Sequence, residues 1–116
     1  MYAYEIPGIR FSLPAGGAVA KCRFVSVANE AAVQATASTQ IIGVSMNEVT
    51  AEEIAANGRI VEIADGIVMV EAAGAITSGA KVYANAEGKA TSEGTVLAGT
   101  AITSATAAGQ LVAVKI

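Results

Sequence analysis

The apolar positions of this chain alternate with polar ones more often than they recur at helical spacing, and they come in short runs broken by glycine, proline and asparagine. Residues 9–13 (IRFSL) predict a short strand stopped by Pro14-Ala15-Gly16-Gly17. Residues 19–28 (VAKCRFVSVA), 32–36, 41–46 (IIGVSM), 81–84, 95–102 and 110–116 (QLVAVKI) read as further strands. Ahead of them, residues 1–8 form an extended arm, because Pro7-Gly8 blocks a helix and marks a turn. Asn85-Ala86-Glu87-Gly88 suits a type I turn followed by a left-handed glycine.

Two local signals carry a mechanism. Thr50-Ala51-Glu52-Glu53 has the spacing of a capping box, in which Thr50 and Glu53 satisfy each other's free N–H groups. It predicts a two-turn helix over 51–57, with Gly58 placed for a left-handed C-cap. Asp65-Gly66 stands between two β-branched runs and predicts a type I′ hairpin, pairing Ala64 with Ile67, Ile63 with Val68, Glu62 with Met69 and Val61 with Val70. One face of that hairpin would be wholly aliphatic: Val61, Ile63, Val68 and Val70. The turns near 78–80 and the later AGT and AGQ pieces look alike, but no fixed period emerges. The pattern as a whole predicts a mainly β, single-domain barrel or sandwich over 9–116, with one short helix and the extended N-terminal arm.

Composition sharpens this picture. Of the 116 residues 26 are alanine and only three are leucine, with two phenylalanines and no tryptophan. Alanine removes little surface on burial, so the core is thin and built from valine and isoleucine. A thin core in a small chain gains from burial against a partner. Lone Cys22 excludes an internal disulfide and reads as a small buried hydrophobe on a strand, against a reactive thiol or an intermolecular bridge. The N-terminal MYAYEIPGIRF lacks a basic and then apolar leader, and no apolar run approaches the roughly 20 residues of a membrane span. Synthesis in the cytoplasm and no membrane partner are therefore expected.

Seven basic residues against ten acidic ones give a net charge of -3, and the nearest approach to a basic cluster is Lys21 with Arg23. That argues against nucleic acid as a partner. The chain has no histidine and one cysteine, so neither the usual general base nor a thiolate zinc site is expected; no catalytic residue, metal or cofactor is assigned. The adjacent Glu52-Glu53 pair reads as a charged first helical turn. No phosphate-binding glycine fingerprint is present, and Lys89, flanked by Gly88 and Ala90, lacks the setting of a lipoyl- or biotinyl-type carrier lysine.

The order of the segments AGGAVAKCRFVSV, IIGVSMNEVTAEE, GRIVEIADGIVMVEAAGAITSGAKVYANAEGKAT and AGTAITSATAAGQLVAVKI resembles the small capsid cement, or head decoration, proteins of tailed phages. The specific part is Gly66-Ile67-Val68-x-Val70, then Ala73-Gly74-Ala75-Ile76-Thr77-Ser78-Gly79 and Val82-Tyr83, with Ile42-Gly43-Val44 ahead of it. The segment around 47–58 is longer than that family's usual turn. The resemblance implies a protein on the outer capsid surface of the virion, bridging major capsid subunits and neighbouring copies of itself as a trimer or dimer. Tyr2, Tyr4, Ile6 and Arg10 are the expected interface residues, since tyrosine and arginine dominate interface hot spots. The alternative is a virion-surface module that binds a host surface or glycan, which the 4% aromatic content disfavours.

Overall fold

Asp65-Gly66 does not turn the chain. In the computed structural model, which describes residues 6–57 and 59–116 and all their side chains except those of 6–8 and 57, it lies inside one twelve-residue strand, Ile60–Glu71. Gly66 takes a φ of 95°, so the pair does signal positive φ. A bend within a strand uses that conformation as well as a type I′ turn does, and here the neighbouring strand is bulged beside it, where Pro7 faces Gly66 and Arg10 faces Ala64. The Ile9 N–H donates to Asp65 Oδ1 at 2.8 Å and fixes the bulge. The expected hairpin is thereby corrected. The type I′ turn sits elsewhere, at Asn29-Glu30 (φ 52° and 64°), where Ala28 pairs with Ala31.

The described residues form nine strands and one helix: β1 (Ile6–Pro14), β2 (Phe24–Ala28), β3 (Ala31–Gln34), β4 (Gly43–Ser45), α1 (Ala51–Asn57), β5 (Ile60–Glu71), β6 (Lys81–Ala84), β7 (Ala90–Thr91), β8 (Leu97–Ala101) and β9 (Leu111–Lys115). They make one sheet, ordered β3-β2-β4-β5-β9-β8-β6-β7 with β1 also on β5, curled into an antiparallel half-barrel. α1 spans the residues its capping box predicts. The Glu53 N–H donates to Thr50 Oγ1 at 3.2 Å and the Thr50 N–H to Glu53 Oε1 at 3.1 Å. The Gly58 cap lies outside the described residues. The turn at 85–88 also forms as expected, with Gly88 at φ 74° and Asn85 Oδ1 accepting from the Glu87 and Lys89 N–H groups at 2.9 Å each. β2 starts at Phe24, five residues later than expected, because Lys21-Cys22 is a turn. Cys22 has φ 60° and is half-buried, so it is neither on a strand nor a core residue.

The sheet is built twice. In the first half β1 pairs β5 from Arg10↔Ala64 to Pro14↔Ile60; in the second, β5 pairs β9 from Ile67↔Lys115 to Glu71↔Leu111. Val44↔Ala64 recurs as Thr100↔Lys115, Val25↔Gly43 as Val82↔Gly99, and Ser26↔Val33 as Tyr83↔Thr91. The isolated bridges match too: Ala15↔Ala32 with Ala72↔Ala90, and Val19↔Val49 with Ile76↔Ala105. Even side-chain bonds repeat. Asn47 Oδ1 accepts the Glu62 N–H at 2.8 Å, and Thr103 Oγ1 accepts the Ala113 N–H at 3.0 Å. Where α1 stands in the first half, the second has a tight turn whose Thr106 N–H donates to Gln110 Oε1 at 2.7 Å. β5 closes one half and opens the other, and Asp65-Gly66 is the seam between them.

Each half has its own core. The first gathers Val19, Val25, Ala32, Val49, Val61 and Ile63; the equivalent Ile76, Val82, Ala90, Ala105, Val112 and Val114 all belong to the second. Val61, Ile63, Val68 and Val70 are fully buried, as the sequence implies, but split between the two cores, because the strand that carries them continues from one half into the other. One row ties the halves together. Phe24, Val44 and Ala64, neighbours across β2, β4 and β5, extend the second core onto the back of the first half. The corresponding row in the second half, Lys81, Thr100 and Lys115, is exposed and polar. That row ends the stacking.

Candidate interaction surface

Of the four residues expected at an interface, Tyr2 and Tyr4 lie outside the described residues. The backbone of Ile6 opens β1, opposite Ile67. Residues 6–8 of the expected arm are therefore strand. Arg10 is exposed on the outer face of β1, and its guanidinium lies 3.8 Å from Glu62 of the adjoining strand. The strand's alternation places it there: Phe11 and Leu13 turn inward onto the first core, whereas Arg10, Ser12 and Pro14 turn outward.

Arg10 overhangs a concavity of about 260 Å³ at the seam. Lys21, Cys22, Ser45 and Met46 of the first half line one side; Met69 and Leu111 of the second line the other. Leu111 is 49% exposed on β9. Ser45 forms the floor, with its hydroxyl donating to the Ala20 carbonyl. Sequence reasoning reached Arg10 and noted Lys21 only as half of a weak basic pair. It missed Met46 and Met69, although these are two of only three methionines in the chain. Methionine's flexible, polarizable side chain suits an adaptable contact surface, and that was the available signal.

Beside the concavity a part-buried ion cluster also joins the halves. Arg23 Nη2 donates to Glu71 Oε1 at 3.3 Å, Lys89 Nζ lies 3.2 Å from Glu71 Oε2, and Arg23 Nη1 donates to the Glu87 carbonyl at 3.0 Å. Burial by itself would raise the Glu71 pKa, but the Lys89 hydrogen bond and the two cationic charges outweigh it and hold the carboxyl below its ordinary 4.5. A depressed folded-state value means the cluster stabilises fully above that ordinary value and is lost as pH falls through the folded one. Glu71→Gln is thus expected to lower stability by about 1 kcal/mol at pH 7 and to flatten the acid limb below pH ~4.5. Thermal melts of both proteins from pH 7 to 2.5 check this; parallel curves contradict it. Glu53 is lowered as well, chiefly by the hydrogen bond from the Thr50 N–H, with Arg59 assisting at 3.4 Å.

The chain belongs to the phage cement protein family, whose model matches residues 7–116. That membership gives it a capsid-associated structural role in the phage particle. Its fold is similar to that of the N base of head fiber gp8.5 in bacteriophage phi29, with a TM-score of 0.72 at 20% identity over 93% of this chain and 92% of that one. No curated protein matches it.

Proposed function

We propose that this protein binds the outer surface of an icosahedral phage head and stabilises the shell by bridging major capsid subunits. The observation that carries the proposal is the family match across nearly the whole chain. A two-core body repeated across a lattice turns many small contacts into a large resistance to rupture. Neighbouring copies, as trimers or dimers, would meet at the local symmetry axes between subunits. The N-terminal segment with Tyr2, Tyr4 and Ile6, together with Arg10, supplies contacts to the shell, since aromatic and arginine side chains anchor interfaces at low entropic cost.

The test adds purified protein to expanded heads that lack it and measures bound copies by co-sedimentation, alongside the temperature at which the heads release DNA. Saturable binding and a raised release temperature are expected. A protein lacking residues 2–5 should show at least tenfold lower affinity, because both tyrosine anchors are lost. Unchanged occupancy would remove that segment from the mechanism, and failure of the intact protein to bind would refute the capsid-surface reading altogether.

A further inference from the structure

The duplicated frame contains its own control. Each residue lining the first-half side of the seam concavity has a counterpart in the second half at the same place in the fold: Arg10 in Ile67, Lys21 in Ser78, Cys22 in Gly79, Ser45 in Ala101 and Met46 in Ile102. The same backbone thus folds with isoleucine and serine where the first half carries Arg10 and Lys21. Arg10 and Lys21 are both exposed, so the frame is expected to fold without them. Among the described residues they are also poorly neutralised. No carboxylate among the described residues lines the concavity, Glu62 reaches Arg10 only at 3.8 Å between two exposed side chains, and Glu71 is taken by Arg23 and Lys89. On a chain of net charge -3, two cations thus converge on one depression walled by Met46, Met69 and Leu111.

We infer that this concavity is the capsid-binding pocket, and that its occupant is a segment of the shell subunit bearing a carboxylate beside an apolar side chain. The inference rests on the capsid-surface reading above and adds to it the chemistry of the partner. The carboxylate would sit between the Arg10 guanidinium and the Lys21 ammonium, where a charge-assisted contact is strongest. The apolar side chain would lie on the two thioethers and Leu111, which can repack around it. The remaining negative charge of the chain would repel an acidic partner elsewhere on the surface and so orient it toward this site.

The experiment compares wild type with the double variant Arg10→Ile/Lys21→Ser, the residues that the second half itself uses, and with Lys21→Glu alone. Binding to heads lacking the protein is measured at several salt concentrations, with thermal melts in parallel. Both variants are expected to melt within a few degrees of wild type, to bind at least tenfold more weakly, and to lose most of the salt dependence of wild-type binding. Wild-type-like affinity and salt dependence in either folded variant would overturn the pocket while leaving the capsid reading standing. Loss of folding in both variants would overturn the claim that the cations are dispensable to the frame. Absence of wild-type binding would overturn the capsid reading, and the pocket with it.

Discussion

Gly99→Ala is expected to destabilise the protein by about 3 kcal/mol or more, which for a chain of this size lowers Tm by roughly 10 °C. A Cβ at residue 99 would run into the Lys115 carbonyl, with Ile116 Cα 3.1 Å away, and both are backbone. β8 and β9 would have to separate where the second half closes. The equivalent first-half position behaves alike: a Cβ on Gly43 would lie 2.6 Å from Ile63 Cγ2 and 2.7 Å from the Ala64 carbonyl oxygen. Gly43→Ala should therefore be nearly as damaging. Gly74 provides the control, because a Cβ there meets nothing within 4 Å and its φ is not positive. Gly74→Ala should be neutral or stabilise by about 0.5 kcal/mol through the unfolded chain. Denaturant melts of the three variants decide the matter, and equal stability of Gly99→Ala and Gly74→Ala would contradict the close approach.

Phe24→Ala is the second large effect, at about 3–5 kcal/mol. Phe24 is the largest fully buried side chain among the described residues, in a core otherwise made mostly of valine and alanine. It reaches from β2 into the second core, so its removal opens a cavity where the two halves meet. Small neighbours such as Ala84, Ala90 and Ala98 cannot reach in to fill it. The same row contains Val44, and Val44→Ala should cost less, about 1–3 kcal/mol, because it deletes fewer buried carbons. Urea unfolding distinguishes the two. A Phe24→Ala protein no less stable than Val44→Ala would mean that the halves are not held together by this row.

These two effects show where the sequence could and could not be read. The helix was legible to the residue because Thr50 and Glu53 define its start by a local, reciprocal pair of hydrogen bonds. The turn at Asn85–Gly88 was legible for the same reason. Asp65-Gly66 misled because its conformation, positive φ at Gly66, is shared by a hairpin turn and by a bend in a continuous strand. Only pairing with β1, β4 and β9, all distant in sequence, selects the second. The true type I′ turn at Asn29-Glu30 carries no glycine and gave a weaker signal.

The duplication stayed hidden for a physical reason. Equivalent positions face different surroundings: Phe24, Val44 and Ala64 are covered by the second core, and their counterparts Lys81, Thr100 and Lys115 face water. Identical residues there would bury lysine or expose phenylalanine, so the halves must diverge along that row. α1 further shifts the register between them by five residues, since Thr50 corresponds to Thr106 but Arg59 to Gln110. What remained alike, Gly43 with Gly99 and Gly17 with Gly74, is short and uninformative until the contacts are seen. The seam concavity was invisible for a related reason: its lining comes from five separate stretches of chain, between Arg10 and Leu111.

The most direct measurement is an electron cryo-microscopy map of heads saturated with this protein. The account predicts density on the outside of the shell, each copy touching at least two major capsid subunits, with the depression flanked by Arg10, Lys21 and Leu111 turned toward the shell. Density on the inner surface or confined to the tail, or copies that each rest on one subunit with that depression facing solvent, would contradict it.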